Sequence, residues 1–338
     1  MNSGRFSCGV VGLFVVSMVL AAWHLDLPLP ALAGDTLIRL AMNGVLVLSL
    51  VPMLQAGIGI NFGLPVAIVA GLLGMCLAVN WKLTGMAGFG AAMAMTVPIA
   101  VCFGYGYGRI LNRVRGREEI TATFIGFSFI PLMNFFWVVA PFTNPAMLWP
   151  IGGQGMRPTI GLKSTFDKVL NQLWAVKLGP LVLPLGLLLF FLICCLAIHL
   201  FFQTGTGRAI RAVGENEEFA GLAGIDVHRM RLLAVILSTV IGGIGICVYA
   251  QSYGFIELYD APMMMALPAA SAILMGGCTT SRTTISQVVV GTFFYHAIYI
   301  LSGPLANQLL VPEVAEIFRL MVTSGVILYA LLGAGRTR

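Results

Sequence analysis

Side chains that could carry chemistry are rare within the long apolar stretches of this sequence, and His296 is the most informative of them. It lies between Tyr295 and Tyr299. An ionisable side chain inside an apolar stretch is a candidate for function, because burying its charge is costly. A lone histidine there can relay protons or form a hydrogen bond to another helix, and the second use is the commoner one. His296 is therefore a candidate functional residue with both roles open.

No arrangement typical of an enzyme accompanies this histidine. The sequence has no cluster of His, Asp and Glu, no G-x-S-x-G and no H-E-x-x-H. No lysine follows a glycine, which excludes the phosphate-binding loop G-x-x-x-x-G-K-[ST]. The seven cysteines lie in or at the ends of apolar runs without paired spacing. We therefore predict that the chain is not an enzyme, holds no metal ion or cofactor, and depends on a partner for any ATP hydrolysis.

The composition is that of an integral membrane protein. Hydrophobic residues make up 59% of the 338 residues and charged residues only 9%, against about a quarter charged in soluble domains. Apolar runs long enough to cross a bilayer, about 20 residues each, recur along the chain. We predict one all-α transmembrane domain over residues 1–338 with about ten transmembrane helices. The predicted spans are residues 8–24, 37–56, 63–80, 86–108, 119–139, 181–202, 232–250, 263–278, 285–301 and 316–333.

The basic residues indicate the orientation of this domain. The net charge of +6 raises the question of nucleic acid, but the arginines are scattered over loops and form no single stripe, so we predict no nucleic-acid partner. Short cytoplasmic loops are enriched in Lys and Arg. Loops 109–117 and 203–231 are rich in arginine, so we predict that both termini are cytoplasmic. The long segment 140–180 is then extracytoplasmic.

Two of the predicted spans look discontinuous. Glycines, Asn61 and Pro65 lie at the start of the third span, and Pro268 lies within the short eighth span. Free backbone groups at membrane depth must line a cavity or be buried in protein. With five spans per half, the breaks occupy corresponding places in two inverted five-helix halves, an arrangement expected around a substrate pathway. We predict a pathway at Asn61, Phe62, Pro65, Pro268 and His296; close packing of small residues is the alternative.

The basic loop 203–231 contains a short helix with clear end signals. An asparagine N-cap precedes two glutamates in the first turn, and a glycine is placed to end the helix. Small residues surround two large apolar ones, giving a narrow apolar face that a groove on another protein could accept. The candidate contact residues are Asn216, Glu217, Glu218, Phe219, Ala220, Leu222 and Gly224. The flanking Arg208, Arg211, Arg229 and Arg231 are interpreted as anchors at the membrane surface.

This loop resembles that of a known family. Its order G-R-x-x-x-A-x-G-x-N-x-x-x-A-x-x-x-G-I-x-V-x-x-x-[KR], from Gly207 to Arg231, is similar to the cytoplasmic coupling loop of permeases in ABC importers for sugars, nucleosides, autoinducer-2 and branched-chain amino acids. Residues 266–277 are similar to that family's A-x-A-A-V-x-L-G-G segment, and residues 59–65 match more weakly. Residues 59–65 lack the acid and hydroxyl that are common in sugar-type members. The resemblance covers most of the chain and is most specific over its second half.

The resemblance implies a multi-pass permease subunit of an ATP-binding-cassette importer in the bacterial inner membrane, which passes a small polar solute such as a sugar or nucleoside. It implies a second permease, identical or different, two cytoplasmic ATPase subunits that hold ATP and Mg²⁺, an extracytoplasmic binding protein, and membrane lipid. Residues 216–224 would be the coupling helix seated on the ATPase. The alternative is a secondary transporter or channel with inverted-repeat helices, which should carry acidic or histidine relays inside the membrane.

Overall fold

The computed structural model describes residues 2–309 apart from 151, 152, 154, 180 and 279–282, and also residues 317, 321 and 325. Helices dominate because an apolar helix satisfies its backbone hydrogen bonds internally, as a membrane requires. In chain order they are α1 (Asn2–His24), α2 (Leu29–Leu48), α3 (Val51–Gln55), α4 (Leu64–Asn80), α5 (Gly85–Arg113), α6 (Glu118–Val139), α7 (Val169–Gln172), α8 (Leu185–Phe201), α9 (Gly205–Glu215), α10 (Glu217–Leu222), α11 (Val227–Tyr253), α12 (Ala261–Met275) and α13 (Ile285–Leu309). The strands of this part are β1 (Thr159–Gly161), β2 (Ala175–Leu178), β3 (Leu181–Pro184) and β4 (Phe255–Glu257).

Within the described residues, nine apolar helices occupy the positions of the first nine predicted spans: α1, α2, α4, α5, α6, α8, α11, α12 and α13. Five of them, α2, α5, α6, α11 and α13, are long and apolar enough to cross a membrane by length and composition. A sixth such span results if α8 and α9, which are bent by 75° at their junction, are counted as one. The predicted tenth span, 316–333, falls almost wholly outside the described residues. The count of ten and the inverted repeat therefore stay predictions.

The predicted second span differs from the observed helix. α2 begins at Leu29, eight residues before the predicted start, and ends at Leu48, after which α3 starts a new helix. Pro52 lies in the first turn of α3, where its missing N–H costs nothing and its ring favours a fresh helix start. Irregular backbone then runs from Ala56 to Gly63, as the sequence predicts, before α4 begins.

The predicted break in the eighth span is wrong at Pro268. α12 runs through Pro268 without interruption and ends before Gly276. Pro268 removes one backbone hydrogen bond, but the helix persists because it is packed against α13, α4 and α2. At 15 residues, α12 is a short helix and not a broken one.

α4 is the centre of the bundle. It packs against α5, α11, α12 and α6, and 14 of its 17 residues are buried. A helix buried on every side must be apolar on every side, which explains its composition. α6 lies at the periphery and exposes large side chains such as Phe124 and Phe135. Such a face suits lipid or another apolar surface.

Connections between the apolar helices collect at two ends of the bundle. The basic end comprises residues 112–118, 203–231 and 283–284. Asn112 Nδ2 donates to the carbonyl oxygen of His228 at 3.0 Å, which joins its first two segments. The platform end comprises residues 140–178 and 254–260. Its two segments are joined by antiparallel pairing of β1 with β4.

The platform end contains paired strands that the sequence does not predict. β2 and β3 form a hairpin, and β1 pairs with β4 in the register Ile160 with Ile256. The backbone N–H of Lys168 donates to Gln251 of α11 at 2.8 Å, so the segment is tied to the bundle. The all-α prediction omits these strands because three or four residues are too few to show an alternating pattern.

Candidate functional site

The basic end carries α10 where the sequence predicts a short helix. The backbone N–H of Phe219 donates to Asn216 Oδ1 at 2.9 Å, so Asn216 is the N-cap. Glu217 and Glu218 occupy the first turn, where the helix dipole favours negative charge. Gly224 follows with φ of +82°, a conformation that glycine adopts without strain. The helix and both of its end signals are thus as predicted, while its role in coupling stays a prediction.

The exposed surface of α10 differs from the predicted contact set at one position. Phe219 and Leu222 are 69% and 89% exposed, whereas Ala220 is 1% exposed. α10 packs on α9 and α11, so the Ala220 methyl is buried by its own chain. Ala220 is therefore not available to a groove on a partner. The large apolar side chains that α10 leaves exposed are therefore Phe219 and Leu222, and they lie beside the acidic first turn.

A network of ion pairs fixes the start of α10. Arg231 of α11 is 2% exposed, and its guanidinium pairs with Glu217 of α10 and Glu118 of α6. Its Nε also donates to Asn112 Oδ1 of α5 at 3.4 Å. Arg115, just after α5, lies 3.3 Å from Glu217. Four helices therefore meet on one planar guanidinium, whose several donors suit such a junction.

The sequence interpretation of Arg231 as a surface anchor is wrong. The residues that pair with it lie 14 and 113 positions away in the chain, so no local spacing signals the pairing. A buried charge persists only when it is paired and hydrogen-bonded. Arg229, two positions earlier, fits the anchor interpretation better, since its side chain is 81% exposed.

The irregular segment before α4 is held by the Asn61 side chain. Asn61 is 1% exposed. The Tyr107 hydroxyl of α5 donates to Asn61 Oδ1 at 2.8 Å, and Asn61 Nδ2 donates to Ser238 Oγ of α11 at 2.9 Å. Both halves of the amide are thereby paired inside the subunit. In this structure Asn61 shapes the segment and does not present its side chain to an open space.

Phe62 faces the other way, toward α12. Phe62 and Pro65 line a cavity of about 40 Å³ together with Ala266 and Leu267 of α12 and residues of α6. The cavity has room for water but not for a sugar-sized solute. Segments 59–65 and 266–277 thus both contribute residues to this cavity, whereas Pro268 does not line it, and the predicted pathway stays a prediction.

His296 belongs to a second cluster of polar side chains within the bundle, apart from that of Asn61. It is 6% exposed, and its Nδ1 has no hydrogen-bond partner among the described residues. Arg39 of α2 interacts with it electrostatically and stacks 5.0 Å from the ring centroid of Tyr299. Arg39 is not among the predicted site residues, although a cation inside the predicted span 37–56 is a signal of function.

The bundle, the short helix at its basic end and the motifs on it agree with a comparison to known families. A sequence model described as the permease component of branched-chain amino acid transport systems matches residues 2–331. The chain belongs to this permease family. The match runs through both the coupling-like loop and the segments that line the cavity.

Three similar proteins carry permease names. The nucleoside ABC transporter permease protein NupC of Lactococcus lactis subsp. cremoris (strain MG1363) is 41% identical over 101 residues, 30% of this chain and 32% of that protein. A tyrosine transport system permease protein of Clostridioides difficile (strain R20291) is 27% identical over 129 residues, 37% of this chain and 42% of that protein. The autoinducer 2 import system permease protein LsrC of Enterobacter sp. (strain 638) is 25% identical over 264 residues, 78% of this chain and 67% of that protein.

The matched part therefore spans less than half the length of the first two relatives. Family membership rests on the match to nearly the whole chain, and the apolar helices agree with it. The chain is a multi-pass membrane permease of the ABC transporter class.

Proposed function

We propose that this permease is the membrane-spanning subunit of an ATP-binding-cassette importer for a small polar solute, such as a sugar or a nucleoside. The observation that carries the proposal is α10, which leaves Phe219 and Leu222 open to a partner while ion pairs to Arg231 fix its base. A contact surface that is rigid at its base can pass movement of a partner into α5, α6 and α11. Relatives named for nucleoside and autoinducer 2 transport support a small polar solute.

The solute path runs between segment 59–65 and α12. Phe62 and Pro65 face Ala266 and Leu267 across a cavity of about 40 Å³, which is too small for such a solute, so passage requires these walls to separate. Pro268 follows on α12, and His296 lies on α13, which packs against α12. Few charges line this region, which suits weak and transient contact with a neutral solute.

The proposed partners follow from the two ends of the bundle. The basic end is cytoplasmic, with both termini, and meets two ATPase subunits that hold ATP and Mg²⁺. The platform end, including the extracytoplasmic segment 140–180, receives a binding protein. A second permease, identical or different, completes the membrane unit. The arginine-rich loops support the cytoplasmic orientation of the basic end.

The test is reconstitution of the full-length chain in proteoliposomes with its proposed ATPase and binding-protein partners. Uptake of radiolabelled ribose, adenosine and L-tyrosine is measured with and without ATP. We expect ATP-dependent uptake of at least one of these probes. Uptake driven by an ion gradient and indifferent to ATP would instead support a secondary transporter.

The contact surface is tested in the same complex. Replacing Phe219 and Leu222 together with serine should weaken ATPase binding by about tenfold or more, because large apolar anchors dominate interface energies. The matched control replaces Leu196 and Leu200, which are 54% and 51% exposed on α8, with serine. Equal binding of the ATPase by the double variant and the parent would remove α10 as the contact.

A further inference from the structure

Gln55, the last residue of α3, joins three parts of the molecule through one buried amide. It is 4% exposed. Arg211 Nε of α9 donates to Gln55 Oε1 at 2.7 Å, and Gln55 Nε2 donates to the carbonyl oxygen of Thr283 at 2.7 Å. Both halves of the amide are thereby paired, as a buried polar group requires.

The backbone beside this amide is in equally close contact with α9. A Cβ added at Gly214 would lie 2.0 Å from the carbonyl oxygen of Gln55, and one added at Gly57 would lie 3.0 Å from Cα of Gly214. Close-packed backbone of this kind transmits displacement, because it has no space to absorb it. Movement of α9 therefore displaces residues 55–57.

The chain that follows Gln55 and the chain that follows its partner Thr283 lead to opposite walls of the proposed pathway. Along its own chain, Gln55 is followed by the irregular segment that ends in Phe62 and Pro65. On the other side, Thr283 precedes α13, and Gln287 Nε2 of α13 donates to the carbonyl oxygen of Gly277, just after α12, at 3.1 Å. The Gln55 amide therefore lies between the junction of α9 with α10 and both walls of the proposed pathway.

We infer that Gln55 is a positioning residue that transmits movement of the α9–α10 junction to both walls of the solute path at once. The inference rests on the proposed function. An amide suits this place because it carries a donor group and an acceptor group side by side in one plane. A glutamate could still accept from Arg211 but could not donate to Thr283, and a methionine could do neither.

The experiment uses the full complex in proteoliposomes and measures solute taken up per ATP hydrolysed, with the probe that the parent transports. Gln55→Met should lower this ratio on the order of tenfold while ATP hydrolysis continues. Gln55→Glu should lower it too, because the contact to Thr283 is lost. Thr292→Val is the matched control, and the parental ratio is expected for it. Thr292 is 0% exposed, and among the described residues its hydroxyl bonds only within its own helix, to Val288 at 2.7 Å.

A double variant separates transmission from general damage. If Gln55 acts through Arg211, the variant that combines Gln55→Met with Arg211→Met should take up as much solute per ATP as Gln55→Met alone. The reason is that the effects of substituting two residues in contact are not additive. A parental ratio in Gln55→Met overturns the inference, and so does a loss of uptake and hydrolysis in equal proportion. Absence of ATP-driven uptake in the parental complex overturns the proposed function instead.

Discussion

At the scale of single residues, Arg231 offers the sharpest stability prediction. Arg231→Met removes the cation between Glu118 and Glu217 and leaves two carboxylates without it in a largely buried site. Breaking a buried pair from one side costs about 3 to 5 kcal/mol, and partial exposure of Glu217 favours the lower value. Thermal unfolding of the detergent-solubilised chain measures the loss.

Arg229→Met is the matched control for this prediction. Arg229 pairs with Asp226 at 3.1 Å, but its side chain is 81% exposed, so its loss should cost less than about 1 kcal/mol. Equal destabilisation by the two variants would show that the Arg231 network is as solvated as a surface pair.

A second residue-scale prediction separates packing from transport. Asn61→Leu removes the acceptor of the buried Tyr107 O–H, which should cost about 1 to 3 kcal/mol. Tyr107→Phe in the Asn61→Leu background should recover part of this loss, because the donor that lacks an acceptor is gone. Phe62→Ala should instead change uptake with little effect on unfolding. If Asn61→Leu leaves stability unchanged and only uptake falls, Asn61 contacts solute as first predicted.

At the scale of elements, the outcome depended on how local each signal is. α10 was predictable because its cap, its acidic first turn and its terminal glycine lie within nine residues. The long apolar helices were predictable because their composition alone distinguishes them. The end of α2 before α3 was missed because a single proline, Pro52, decides it. The pairing of Arg231 was missed because tertiary contact creates it.

The glycines of α4 give a prediction for helix packing. A Cβ at Gly71 would lie 2.5 Å from the carbonyl oxygen of Gly243 on α11, and backbone cannot move aside as a side chain can. Gly71→Ala should therefore destabilise the bundle by about 1 to 3 kcal/mol. Gly90→Ala on α5 is the control, since nothing lies within 4 Å of its Cβ position and alanine favours a helix. The free energy of unfolding of both variants is measured in detergent. An unchanged value for Gly71→Ala would mean that α4 and α11 are loosely packed.

At the scale of the whole molecule, the assignment of connections to two ends of the bundle was predictable and the platform was not. Each apolar run must reverse direction to re-enter the bilayer, so the sequence alone assigns its connections to two sides. The strands of the platform depend on pairing between Ile160 and Ile256, which are far apart in the chain. The cavity at Phe62 likewise needs α6 and α12 to converge, and no sequence spacing specifies that.

The orientation of the two ends is the last prediction. Lys163→Cys at the platform end and Arg208→Cys at the basic end place single exposed thiols on opposite sides, in a background where exposed Cys102 is replaced by alanine. Lys163 is preferred to Lys168, whose φ of +51° already strains a side-chain-bearing residue. Arginine-rich loops remain cytoplasmic, so a membrane-impermeant maleimide should label Lys163→Cys in intact cells and Arg208→Cys only after permeabilisation. The reverse pattern would place α10 outside, away from cytoplasmic ATP, and would contradict the docking of an ATPase there.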